Sequence, residues 1–161
     1  MTIKEMLYRN LSSKYEWYER YGMFDNVREV MAKLKVSEIP CPKKYWMGMP
    51  SMGQVIANTW FRPVFFYSPT QSASFIPAFA SPNQNPPITI ALIPELAHYV
   101  TLRMKDSAFP IPRFPSIRAL GMTLEQFEGW QEKCLEHLNL FQEVHNTRSK
   151  GKGKAKVIAL D

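Results

Sequence analysis

Long apolar runs are missing from this chain. No stretch of its 161 residues approaches the ~20 consecutive apolar positions that a membrane helix requires, which sets aside a helical membrane span. The N-terminus alternates charges (Lys4, Glu5, Arg9) without an apolar run, so no secretory signal is readable. Cysteine is scarce as well. With only Cys41 and Cys134 a disulfide framework is not expected, and an intracellular, reduced setting, cytoplasmic or nuclear, is favoured. The seven glycines form no phosphate-cradling loop, and neither H-E-x-x-H nor G-x-S-x-G occurs. Glu95 and Asp106 stand apart, so no carboxylate pair offers itself for acid–base work. Nothing in the sequence calls for a cofactor.

What is present fits one domain of ordinary composition, 45% hydrophobic and 21% charged. The formal charge of +6 is largely a property of the end of the chain. From Arg148 the sequence reads Arg-Ser-Lys-Gly-Lys-Gly-Lys-Ala-Lys, a run that has no apolar surface to bury and reads as disordered. The expected organisation is a folded domain over residues 1–146 and a basic tail over 147–161. Two readings of the tail stand: a solvated linker, or an arm making weak phosphate contacts with nucleic acid or serving as a nuclear signal.

Thr2 and Glu5 form a capping-box pattern, and Ile3, Leu7, Leu11, Tyr15 and Tyr18 recur at helical spacing, which predicts one helix from Ile3 to Tyr21 ending at Gly22. Asn26 and Glu29 open a shorter helix through Leu34. Pro40 and Pro42 then enforce extended chain. A third helix is expected over Ser51–Asn58, and a last one from Thr123, capped by Gln126, through Phe141. Between them lie three apolar strands, Pro63–Tyr67, Ile88–Ile93 and His98–Met104. The first two are separated by a Pro/Ser/Asn-rich excursion, Ser68–Pro87, that contains a short extended piece, Ser74–Ile76. Phe109-Pro-Ile-Pro112 and Pro115 read as a rigid extended wrap. The fold class is therefore α+β: a small, mainly antiparallel sheet with helices packed on it.

The residues able to carry chemistry are few. Cys134 and His137 share a helix face at metal-ligand spacing, but only Cys41 and His98 remain to complete a set, from distant loops, so no metal site is assigned; His145 is the third histidine. Cys41 sits between prolines, with Lys43 and Lys44 the nearest cations that could lower its thiol pKa. His98 opens a strand after the short turn Pro94-Glu-Leu-Ala97. Rigid backbone at a surface mouth suits a general base, and it equally suits a capping or packing histidine.

The succession Trp46-Met-Gly48, a helix containing Ile56-Ala57, Arg62-Pro-Val-Phe-Phe-Tyr-Ser68, Ile88–Ile93 and His98-Tyr-Val100 resembles the later two-thirds of the OTU (ovarian-tumour) cysteine protease domain. Arg103-Met-Lys, Phe109–Pro112 and Trp130 are similar to the subset found in transposon-associated proteins of plants and fungi. The match covers roughly Val27 to Trp130. The resemblance implies a deubiquitinase-like fold that acts on the isopeptide bond after a ubiquitin or ubiquitin-like tail. It places His98 on the family's general base.

The departures are specific. The Asp-Gly-x-Cys nucleophile segment is missing, Val100 stands where many members carry the Asn or Asp that orients the histidine, and the Trp-Gly-Gly-x-x-Glu pattern is reduced to Trp46-Met-Gly48. Without a thiolate there is no attacking atom. The expectation is an incomplete OTU-like domain, either a fragment or a pseudoenzyme, that is inactive as it stands. On this reading the groove beside His98 and the loop Ser68–Pro87 receive an extended peptide. The rival expectation is a nucleic-acid-associated or protein-interaction module with a basic tail.

Overall fold

The computed structural model describes residues 1–22 and 24–150. The Thr2/Glu5 box forms as the sequence predicts: the Thr2 hydroxyl accepts the Glu5 N–H at 3.2 Å, and the Glu5 carboxylate accepts the Thr2 N–H at 2.7 Å. The helix it opens, α1 (Ile3–Ser13), breaks at Lys14 (φ −126°, ψ 31°) and resumes as α2 (Tyr15–Tyr21). The single helix expected over Ile3–Tyr21 is thus two. Ser13 donates its hydroxyl to the Asn10 carbonyl at 3.1 Å, a local bond that competes with the helical ladder just before the break. Gly22 ends α2 in extended conformation (φ −66°), and a Cβ there would lie 2.3 Å from the Tyr18 carbonyl oxygen. Its role is close approach.

Helix α3 (Val27–Leu34) starts on the Asn26 side chain, which accepts the Glu29 N–H at 3.2 Å. A fourth helix, α4 (Ser51–Trp60), runs into the sheet. Leu7, Leu11, Tyr18, Val27, Leu34, Met52 and Val55 make one buried cluster among these four helices. Burying a side chain of this size removes about 1.5–3 kcal/mol of exposed apolar surface each, so this cluster is the chief support of the N-terminal half.

Four strands follow: β1 (Val64–Tyr67), β2 (Ala73–Phe75), β3 (Ile88–Ile93) and β4 (His98–Thr101), in the order β2-β1-β3-β4. The fold is α+β, as expected, but the sheet is mixed. β1 and β3 run parallel, with Val64 opposite Ile88 and Tyr67 opposite Ala91, while β1–β2 and β3–β4 are antiparallel. The cause is the excursion after Tyr67. It first folds back as β2 on the outer side of β1, which returns the chain to the end where β1 began, and residues 76–87 then carry it across that end to the other side of β1, where β3 starts. β4 stops at Thr101, short of the expected Met104, although Leu102 and Thr89 still pair through Leu102 N–H to the Thr89 carbonyl at 2.9 Å.

Alternation along the strands sends side chains to two faces. Val64 and Phe66 join Phe75 and Ala57 toward α4, with Ile88, Ile90 and Leu92 packed against them. Phe65 faces the other way, onto Ile111 and Cys134, with Tyr67, Phe109, Phe114 and Leu138 around them. The proline-rich wrap over residues 109–112 covers this second face. Tyr67 donates its hydroxyl to the Pro110 carbonyl at 2.8 Å, Ser74 donates to the Pro112 carbonyl, and Ile111 N–H donates to the His137 carbonyl at 3.2 Å.

The C-terminal third is α5 (Ile117–Leu120), α6 (Leu124–Lys133) and α7 (Leu135–Lys150). The Thr123/Gln126 box forms, but the helix it opens breaks at Cys134 (φ −102°, ψ 9°) where one helix was expected through Phe141. Trp130, fully buried, closes the second face with Ile76 and Leu120, and its indole N–H donates to the Ala80 carbonyl at 3.0 Å. α7 continues to Lys150, into the segment expected as tail; the remainder of that tail, 151–161, lies outside the described residues.

Candidate functional site

β4 is one of the two edge strands of the sheet, and His98 is its first residue, directly opposite Ile93 on β3. The turn before it is one 3-10 turn, Pro94–Leu96, closed by Ala97 in left-handed conformation (φ 48°). His98 is exposed, and so are Tyr99 and Thr101. Tyr99 lies on the α4 side, its ring 6.0 Å from that of Phe66, and its hydroxyl accepts the Met49 N–H at 3.2 Å. By strand alternation His98 takes the opposite face.

The Tyr99 anchor draws the segment Trp46–Gly48 against the strand. Between them opens a pocket of about 470 Å³, lined by Trp46, Gly48, Leu92, Pro94, Ala97 and Tyr99 together with Met47. Trp46 remains 52% exposed, and its indole N–H is fixed to the Cys41 carbonyl at 2.9 Å. A large aromatic held by its one polar atom and left half uncovered offers a ready-made contact surface. The reduced Trp46-Met-Gly48 pattern and the His98 strand are therefore neighbours in space, with the pocket on one face of β4 and the imidazole on the other.

The other expected participants lie elsewhere. Cys134 is buried under Phe65 on the same sheet face as His98. Phe65 pairs with Thr89, and His98 with Ile93, four residues further along, which separates the two by about 13 Å along the strands in addition to the strand spacing. Burial pushes the Cys134 thiol up to about 11, against a smaller opposing effect of Lys133, so it is a packing group at neutral pH. Cys41 lines a different groove, shared with Ile3, Tyr8, Leu34 and Ile39, and its sulfur contacts the Pro42 carbonyl at 3.9 Å. Neither thiol is hydrogen-bonded to the imidazole. Val100 supplies no acid to orient His98.

The excursion Ser68–Pro87 is not a lip beside His98. Its β2 portion forms the far edge of the sheet, and Ile76, Pro77 and Ala78 are buried. Only the Ser68–Ser72 turn lies at the same end of the sheet as His98. His137 pins the wrap: its Nδ1 lies 2.8 Å from the Phe109 carbonyl oxygen and 3.2 Å from the Phe109 N, and its ring packs edge-on to Phe109. His145 lies against Phe141 within α7, the two rings tilted by 52°. Among the described residues no group of three His, Cys, Asp or Glu side chains could hold a metal ion, and no helix is long and apolar enough to cross a membrane.

One constellation escaped the sequence reading. Asn58, wholly buried on α4, donates from Nδ2 to the Tyr18 hydroxyl at 2.9 Å, and its Oδ1 accepts from Gln54 Nε2 at 3.1 Å and Ala78 N–H at 2.8 Å. Tyr18 in turn donates to Asn10 Oδ1 at 2.6 Å, and Gln54 Nε2 also reaches the Ile76 carbonyl at 2.8 Å. This network joins α1, α2 and α4 to the chain leaving β2. Its signal was present: two amides four residues apart within an otherwise apolar helix. Compared with known proteins, the chain matches no protein-family model, no curated protein and no solved structure.

Proposed function

We propose that this chain is an OTU-like domain that binds an extended peptide, of the ubiquitin-tail class, without cleaving it, by adding the peptide as a strand to the open edge of β4. The observation that carries this reading is the state of that edge. Leu102 N–H bonds to the Thr89 carbonyl, so residues 102, 100 and 98 point their backbone groups inward to β3. The N–H and C=O groups of Tyr99 and Thr101 then point outward, and no charge, proline or glycine guards the strand His-Tyr-Val-Thr.

The opposite edge is treated differently. β2 is tucked under the wrap, with Ser74 buried and bonded to Pro112. A peptide paired with β4 would alternate its side chains between the Trp46 pocket and the His98 face, which gives affinity through backbone bonds and selectivity through one apolar side chain. The absence of a thiol beside His98 supports binding without turnover.

The test is a titration with ubiquitin and with its isolated C-terminal peptide, followed by NMR. Shifts are expected at Tyr99, Thr101 and the Trp46 indole. Thr101→Pro deletes one outward donor while leaving the inward bonds intact, a substitution edge strands tolerate. Loss of one backbone bond, ~1 kcal/mol, should weaken binding about five- to tenfold. Unchanged affinity, or shifts confined elsewhere, would refute the edge as the binding surface. Turnover of a fluorogenic ubiquitin substrate, abolished in His98→Ala, would refute the non-catalytic half. The rival reading rests on the basic run Arg148–Lys156: salt-dependent nucleic-acid retention that vanishes with its deletion, alongside no ubiquitin response, would establish it instead.

A further inference from the structure

On the helical half of the molecule a groove runs between the start of α1 and the segment that leaves α3. It holds about 720 Å³. Ile3 and Tyr8 form one wall, Val36, Ile39 and Cys41 the other, and Leu34 closes the base. These walls stand open to water: Ile39 is 96% exposed and Ile3 67%. Two contacts fix the walls to each other. The Lys4 ammonium donates to the Val36 carbonyl at 2.7 Å, and the Lys35 ammonium lies 4.8 Å from the centre of the Tyr8 ring.

The rim is positive. Lys4, Arg9 and Lys35 line it against Glu5 and Glu38, and Glu5 is committed to the α1 cap, where its carboxylate accepts the Thr2 N–H at 2.7 Å. Among the described residues the one ion pair joins Lys33 to Glu29, so no carboxylate is paired with any of the rim cations. Contiguous exposed apolar surface inside a charged rim marks an interaction site. The form of its occupant follows from the walls. The Val36 carbonyl is taken by Lys4 and the Cys41 carbonyl by the Trp46 indole at 2.9 Å, so this wall does not present a free strand edge to an extended chain. A helix satisfies its own backbone. The α1 wall, from Thr2 to Arg9, is about 10 Å long, the distance a helix covers between anchors i and i+7.

We infer that this groove docks an amphipathic helix of a partner protein, with apolar anchors at i, i+4 and i+7 and carboxylates along its flanks. The anchors cover Ile3, Tyr8 and Ile39. The carboxylates meet Lys4, Arg9 and Lys35, which steers the encounter and fixes the register of the helix. The site is separate from the open edge of β4, and Cys41 in its wall reports whether it is filled.

The probe is an alanine-based helical peptide of about 15 residues, with leucines at i, i+4 and i+7 and glutamates on the flanks, titrated into the full chain. Alkylation of Cys41 by iodoacetamide, a neutral reagent, should slow saturably with a Kd below about 1 mM, while buried Cys134 keeps its own rate. NMR shifts should centre on Ile3 and Ile39. Ile39→Ser, at so exposed a position, should leave the folded spectrum unchanged and weaken binding about tenfold. Arg9→Glu should weaken it about threefold at low salt. A lysine-flanked peptide that binds as well, or an Arg9→Glu chain that binds as the parent does, would overturn the charge assignment, and a proline-interrupted peptide that binds as well would overturn the helix. Shifts at Tyr99 and Thr101 in place of Ile3 and Ile39, or unprotected Cys41, would overturn the site. Protection that grows with protein concentration alone makes the occupant a second copy, and protection by phosphatidylserine vesicles alone makes it a membrane; either result overturns the partner helix.

Discussion

Replacing Tyr18 by Phe removes one oxygen from the centre of the buried amide network. That oxygen gives its proton to Asn10 Oδ1 and accepts one from Asn58 Nδ2. Asn10 lies on a half-exposed position of α1 and regains water, so its loss is small. Asn58 is fully buried, and its Nδ2 keeps a desolvated donor aimed at nothing. Leaving such a group unpaired costs about 1–3 kcal/mol, and ~2 kcal/mol is expected here. For a chain of this size 1 kcal/mol moves the melting midpoint by about 2–4 °C, so calorimetry should show a fall of about 4–8 °C.

The same variant carries a pH signature. Burial raises the Tyr18 hydroxyl pKa above its ordinary value, and the bond from Asn58 opposes this less strongly. A folded-state pKa that is raised gives stability fully present below about pH 10, lost as pH climbs toward the folded value, at about 1.4 kcal/mol per pH unit for one proton. Tyr67, also raised by burial, adds a second such slope. Tyr18→Phe should therefore lose stability less steeply than the parent in urea titrations above pH 10. A melting shift under about 1 °C, with parallel alkaline slopes, would refute both the burial of this hydroxyl and the network built on it.

Two further outcomes probe the sheet. Gly53→Ala forces a methyl into the Phe75 ring at 2.3 Å and should cost about 1–3 kcal/mol by denaturant titration; a neutral result would show that α4 and β2 are not in contact. In Ellman's assay at pH 8 one thiol, Cys41, should react promptly. Cys134, 5% exposed and with its pKa pushed up to about 11, should react only as the protein opens, and equal rates for the two thiols would contradict a closed second face.

Much of the local structure could be read from residue order because its causes are local. The Thr2/Glu5 and Thr123/Gln126 boxes, the apolar stripe of α1, the aromatic run of β1 and the β-branched run of β3 act over a few residues. The unread parts depend on distant partners. Lys14 and Cys134 interrupt helices where no proline or glycine warns of it. The parallel β1–β3 pairing follows from the route of the excursion through β2, which strand patterns do not specify. At the candidate site, His98 at a strand's mouth was legible. The pocket beside it was not, because it depends on the Tyr99 hydroxyl meeting a backbone N–H fifty positions earlier. The amides of α4 were in plain sight but were outvoted by their apolar neighbours Met52, Val55 and Ile56.

The wrap over residues 109–112 and the break at Cys134 have a consequence for how the molecule is made. Strand β1 has one side covered by chain synthesised before it and the other by chain synthesised long after. Phe65 leaves the ribosome roughly 70 residues ahead of Leu138, which at bacterial or eukaryotic speeds of about 5–20 residues per second is a wait of roughly 4–15 s. During that interval the nascent polypeptide presents a greasy, half-finished sheet to its surroundings. Any premature stop before Trp130 makes that state permanent, so shortened forms of this protein should be clients of chaperones and proteases.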